Sequence, residues 1–153
     1  MARIEVAATD ADVVERLALL LEETAGHKYS TTAALGLSTA IFAWTAERVR
    51  RPEPLAQALA ARWKAEGAAD EPWSLPAPLS GGSAFDALIR LRRSMCHADG
   101  DRVHPQNDPN CLTGFVMDAN HEDPAPLNEW QLRRFGLQIA EQFVQHMRQN
   151  ENP

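Results

Sequence analysis

The stretch Ile89-Arg90-Leu91-Arg92-Arg93-Ser94-Met95-Cys96-His97-Ala98-Asp99-Gly100 concentrates the residue types that can do chemistry. An arginine neutralises a phosphate and the further charge that develops as it is attacked. A histidine titrates near neutral pH and can act as a general acid or base. Arg92 and His97 together therefore suit RNA cleavage by the neighbouring 2′-hydroxyl. A base takes the hydroxyl proton, the cation stabilises the pentacoordinate phosphorane, and an acid protonates the departing 5′-oxygen. Neither a metal nor another cofactor is required, and the product carries a 2′,3′-cyclic phosphate. DNA lacks the nucleophile and is not cut. Arg93 and Arg102 are expected to hold the RNA backbone, with Ser94 adding a hydrogen bond.

Each residue also has a plainer role. Arg92 can pair with Asp86 or another acid, and a histidine at a helix end can cap carbonyls and complement the macrodipole. Cys96, His97, His104, Cys111 and His121 are possible zinc ligands, but their spacing fits no Cys-x-x-Cys or His-x-x-x-His pattern. Cys96 reads better as a small core residue than as a nucleophile, because adjacent helix residues such as Cys96 and His97 point in different directions. Trp44 is expected in the core and Trp73 at a surface. Tyr29, beside His27 and Lys28, reads as part of an ordinary helix-start turn.

The elements that position these groups read as helices. Thr9 and Asp12 have capping-box spacing, and Val14, Leu17, Ala18 and Leu21 follow at helical intervals, with Gly26 ending the element. A longer helix is expected over 31–51, apolar on two sides (Ala34, Leu37, Ile41, Trp44; Leu35, Phe42, Val49) and so central in a bundle. Pro52-Glu53-Pro54 ends it, with Pro54 in the first turn of a third helix that reaches Glu66 and is closed by Gly67. The Pro- and Gly-rich segment 68–82 reads as a loop held down by Trp73 and Leu75. Ser83 and Asp86 repeat the capping-box pattern and open a helix whose stripe carries Leu88, Ile89, Arg92 and Cys96, closed by Asp99-Gly100-Asp101. Residues 101–126 hold four prolines, with Leu112 to Met117 a possible strand or hairpin arm. A last helix over 128–149 aligns Leu132, Phe135, Ile139, Phe143 and Met147. The expectation is an all-α bundle of four to five helices in one domain, 1–153, with a short irregular or β-hairpin segment before the last helix.

Within such a helix Arg92 and His97 do not share a face, because positions five apart lie about 140° apart. They converge if the helix ends near Cys96, or if two copies face each other across a dimer axis.

The Arg92-x-x-x-x-His97 pattern, late in a helical chain and followed by a turn, resembles the motif of the HEPN family (higher eukaryotes and prokaryotes nucleotide-binding domain): arginine, four to six residues, histidine. The helix order and the Gly114-Phe115 segment before the final helix resemble stand-alone bacterial members. The resemblance implies an all-α bundle, commonly dimeric through the motif helices, and a ribonuclease of toxin–antitoxin, phage-defence or CRISPR systems. It makes Arg92 and His97 the catalytic pair. Arg93 departs from the family, where Asn, Asp or His usually follows the arginine. Asp99 stands where some members carry a tyrosine modified by a nucleotidyltransferase antitoxin, so that partner is not expected.

Composition sets the limits. Of 153 residues, 44% are hydrophobic and 24% charged, which is globular rather than disordered composition. The longest apolar run, Leu17 to Leu21, is too short to span a membrane, and no signal peptide is visible in Met1-Ala2-Arg3-Ile4-Glu5. Cys96 and Cys111 make no disulfide framework, so a cytoplasmic chain with reduced thiols is expected. The net charge of −6 weighs against bulk coating of nucleic acid but leaves room for a local basic cleft. Arginines cluster at Arg90, Arg92, Arg93 and Arg102, again at Arg48, Arg50 and Arg51, and less at Arg133 and Arg134. The expected function is a metal-independent endoribonuclease, a homodimer acting on RNA, with an antitoxin or defence-system protein as a further partner. The alternative is a catalytically inactive helical module that binds a nucleotide or a protein.

Overall fold

The computed structural model describes residues 8–67, 84–97, 101–118, 120 and 122–151. Its elements run α1 (Asp10–Glu23), α2 (Ser30–Arg48), α3 (Pro52–Gly67), α4 (Ala84–His97), β1 (Val103–Asn107), β2 (Leu112–Met117), β3 (Ala125–Asn128) and α5 (Glu129–Glu151). The expected loop with Trp73 and Leu75, the cap at Ser83, the turn at Asp99-Gly100, His121 and the side chain of Trp63 lie outside the described residues.

Local signals set most helix ends. The Asp12 backbone N–H donates to Thr9 Oγ1 at 3.3 Å while the Thr9 N–H donates to Asp12 Oδ2 at 2.9 Å. This reciprocal pair satisfies two donors that the first turn leaves open. α1 stops at Thr24, whose hydroxyl donates to the Leu20 carbonyl at 2.9 Å, and Gly26 turns the chain at φ 77°. α2 ends at Arg48, short of the expected Arg51, and α3 starts at Pro52, with Pro54 in its first turn as expected. A residue before proline is pushed out of the helical region, so Arg51 cannot continue α2, while Pro52 suits a first helical position.

The chain is not all-α. β1, β2 and β3 form a three-stranded antiparallel sheet in that order, with Pro105 opposite Phe115 and Pro126 opposite Val116. Both prolines lie on edge strands, where a missing N–H costs least. They disguise the strands in the sequence. Gly114 is required at its position in β2, because a Cβ there would collide with the Leu127 carbonyl oxygen on β3.

α5 packs against α1, α2, α3 and the sheet. Leu132, Phe135, Ile139, Ala140 and Phe143 are buried on it, and the Phe135 ring meets Phe42 of α2 at 5.4 Å. On α4 the inward face differs from expectation. Ala87, Leu88, Leu91 and Met95 are buried, Ile89 and Arg92 are half-buried, and Cys96 is exposed. The stripe 87/88/91/95 buries apolar side chains without desolvating a guanidinium, so it wins over 85/89/92/96. Trp44, expected in the core, is half-buried, and its Nε1 donates to Asp10 Oδ1 at 3.0 Å.

Arg133 ties the helices together. Its Nε donates to Glu129 Oε1 at 2.8 Å, Nη2 to the Ser30 carbonyl at 2.6 Å, and Nη1 to the Leu21 carbonyl and to Thr24 Oγ1 at 3.1 Å. Glu129 also accepts from Thr31 at 2.8 Å and Ser30 at 3.0 Å. Burial alone would raise the Glu129 carboxyl. The hydrogen bonds from Arg133, Thr31 and Ser30 and the Arg133 charge outweigh it and hold the group below its ordinary value. Among the described residues no helix is long and apolar enough to cross a membrane.

Candidate functional site

α4 carries the chemistry-bearing residues outward in three directions. Arg92 points to the end of α2, where its Nη2 forms an ion pair with Glu47 Oε1. Its Nε is buried and has no hydrogen-bond partner among the described residues. The predicted plain role for Arg92, pairing with an acid, is thus fulfilled by Glu47 and not by Asp86. His97 is the last residue of α4 and is exposed. Because α4 stays helical through His97, the two residues lie about 140° apart around it. No described cleft or hydrogen bond joins them within one chain.

The three residues expected to hold RNA do come together, in an open cleft of about 830 Å³ between α4 and the sheet. Arg93 lies on its wall, exposed and without a partner among the described residues. Ser94 is 1% exposed, and its hydroxyl donates to Asp118 Oδ1 at 2.5 Å, which leaves it only acceptor capacity. Arg102 also lines the cleft, with Nη1 3.9 Å from Asp118 Oδ1.

Asp118 organises this cleft, and the sequence reading did not single it out. It follows β2 with φ 51°, unusual for a residue with a side chain, and is 8% exposed. Its N–H donates to the Arg102 carbonyl at 2.5 Å, and its Oδ2 accepts from Arg90 Nε at 2.7 Å. Arg90 continues to the Asp123 carbonyl through Nη2 at 2.5 Å. One carboxylate thus clamps α4 to the loop after β2. The available signal was the spacing of Arg90 and Ser94, four apart and so on one helix face, which calls for a shared acceptor. Three arginines face four carboxylates (Asp86, Asp118, Glu122 and Asp123) in the cleft, so its lining carries one more acid than base and is not basic overall.

A second cleft, of about 680 Å³, lies where the α2–α3 turn meets the end of α5 and contains Arg48, Arg50, Arg51 and Glu47. Arg48 is occupied: its Nε donates to Asp10 Oδ1 at 3.0 Å and its guanidinium lies 4.1 Å from the Trp44 ring centroid. Tyr29 is exposed, with Lys28 Nζ 5.1 Å from its ring. Cys96 and Cys111 are both free thiols. Among the described residues no three His, Cys, Asp or Glu side chains are grouped to hold a metal ion.

Compared with protein families, with curated proteins and with solved structures, the chain matches none.

Proposed function

We propose that the chain is a metal-independent endoribonuclease of the HEPN type, cytoplasmic and dimeric, with Arg92 and His97 of two copies forming one composite cleft. The observation that carries this reading is the condition of Arg92. One nitrogen rests on Glu47 while the buried Nε has no acceptor among the described residues. A guanidinium so placed is only partly satisfied in a single chain, and an incoming phosphate supplies the missing acceptors. His97 ends the same helix in solvent, where a second copy or a substrate can reach it. α4 stays helical through His97, which weighs against convergence within one chain and supports the dimeric reading.

In this mechanism a His97 imidazole takes the proton of the ribose 2′-hydroxyl, and the oxygen attacks the adjacent phosphorus. Arg92 stabilises the charge on the phosphorane oxygens. A protonated His97, supplied by the other copy, delivers the proton to the 5′-oxygen as the bond breaks, leaving a 2′,3′-cyclic phosphate. Arg93 binds the flanking backbone. Arg102 supports it from the far wall of the cleft, and Ser94 acts through Asp118. A toxin–antitoxin or phage-defence setting, with a partner protein that restrains the nuclease, fits this activity.

The test is incubation of total RNA with wild type and His97→Ala in EDTA, followed by analysis of the product ends. Cleavage by wild type alone, with cyclic phosphate ends and an unchanged circular dichroism spectrum for the variant, is expected. Equal cleavage by a folded His97→Ala protein sinks the catalytic assignment. The second reading, an inactive module that binds a nucleotide or a protein, is favoured by the Arg92–Glu47 ion pair itself, since that contact suffices as a structural role. Intact RNA in both samples supports it.

A further inference from the structure

The cleft at the α2–α3 turn holds three arginines against two carboxylates in a chain whose net charge is −6. Its two carboxylates are already engaged: Asp10 by Arg48 at 3.0 Å, and Glu47 by Arg92. What remains is Arg50 and Arg51, both exposed and both without an ion pair or hydrogen bond among the described residues, with His146 opposite them on α5. Cations near a helix C-terminus commonly just complement the last carbonyls. Neither Arg50 nor Arg51 makes such a hydrogen bond, and α2 has already ended at Arg48. Two unsatisfied guanidinium forks in a concavity of about 680 Å³ suit an anion with several oxygens, and their planar donors match phosphate.

From this geometry we infer that the cleft binds the phosphodiester backbone of single-stranded RNA. It does so beside the proposed catalytic arginine, because Glu47, the acid on Arg92, forms part of its wall. The proposal rests on the nuclease reading for the identity of the ligand, though not for the existence of the anion site. A strand lying here brings its negative charge against Glu47 and favours the transfer of Arg92 from that carboxylate to a phosphate.

The experiment is fluorescence anisotropy with a short labelled 2′-O-methyl oligoribonucleotide, which binds without being cut, over a range of salt concentrations. The proteins are wild type, Arg50→Ala/Arg51→Ala, Arg50→Lys/Arg51→Lys and Lys28→Ala. The double alanine variant is expected to bind roughly tenfold more weakly. Its slope of log affinity against log salt should fall by about 1.4, about 0.7 for each phosphate contact on a single strand. The double lysine variant should recover most of the affinity, and Lys28→Ala should bind as wild type does. Absence of binding by wild type, unchanged binding by the double alanine variant, or an equal loss in Lys28→Ala overturns the proposal. Cleavage of unmodified RNA in EDTA is measured in parallel. Weakened binding in the double alanine variant while wild type cuts nothing keeps the cleft and removes the nuclease reading. Normal cleavage with unchanged binding does the reverse.

Discussion

Arg92 shares its charge with Glu47, whose side chain is 58% exposed, so the pair is worth little as a stabilising contact. Its consequence is positional, because it holds the guanidinium away from any phosphate. Glu47→Gln is therefore expected to raise the rate of RNA cleavage several-fold, with stability changed by no more than about 1 kcal/mol. Unchanged cleavage together with a lowered melting temperature would make Arg92 a structural residue. Asp118 presents the opposite case, a buried acceptor on which Ser94 and Arg90 both depend. Asp118→Ala leaves a guanidinium and a hydroxyl without their shared acceptor and should cost about 3–5 kcal/mol in urea unfolding. Asp118→Asn keeps an acceptor for Ser94 and tolerates the left-handed backbone at φ 51°, so it should cost clearly less. Equal losses in the two variants would mean that the carboxylate is not what holds the loop.

At the scale of elements, the sheet and α5 depend on two contacts that a helix-only reading does not anticipate. Gly114 allows β2 to pack against β3, and Gly114→Ala should destabilise by about 1–3 kcal/mol through the clash with the Leu127 carbonyl. A wild-type denaturation midpoint in that variant would contradict the pairing. Arg133 and Glu129 join α5 to the α1–α2 turn, and the linkage has a definite sign. The folded-state value of Glu129 lies below its ordinary 4.5. Its contribution is therefore complete above that pH and is lost as the pH falls through the lower folded value. Glu129→Gln should lower stability at neutral pH and flatten its decline below about pH 4.5. The same steepness in both proteins on acidification would place the acid sensitivity elsewhere.

At the scale of the molecule, the question is how many copies make one site. The described helices share one core in which α5 touches α1, α2 and α3, and α4 closes it from the α2 side while its outer face carries Arg93 and His97. If two α4 helices face each other, a dimer of one wild-type and one Arg92→Ala/His97→Ala chain keeps a single histidine and lacks either the base or the acid. An excess of the double variant is therefore expected to suppress cleavage well below the wild-type chains' own share. Cleavage that stays in proportion to the wild-type chains, with mixed dimers present by analytical ultracentrifugation, would confine the reaction to a single chain.

What the amino-acid sequence determined by itself was local. The capping pair at Thr9 and Asp12, the break at Pro52 and the stripe Leu132, Phe135, Ile139 and Phe143 follow from short-range hydrogen bonding, proline sterics and the 3.6-residue repeat. The grouping of Arg92, Arg93 and His97 on one helix was legible for the same reason. Of the sheet only β2 was legible, as the expected strand or hairpin arm at Leu112 to Met117; the edge strands were not, because they carry Pro105 and Pro126 and form only through pairing with β2. Nor was the rotation of α4. Leu88, Leu91 and Met95 compete with Phe85, Ile89 and Arg92 for the core, and only packing against α2 and α3 decides between two neighbouring stripes. Asp118 was hidden most completely. Its carboxylate acquires a role only when the chain, 24 residues beyond Ser94, returns to that helix face. Tertiary structure alone brings a buried acceptor to donors so far away in the chain, and burial makes their hydrogen bonds obligatory.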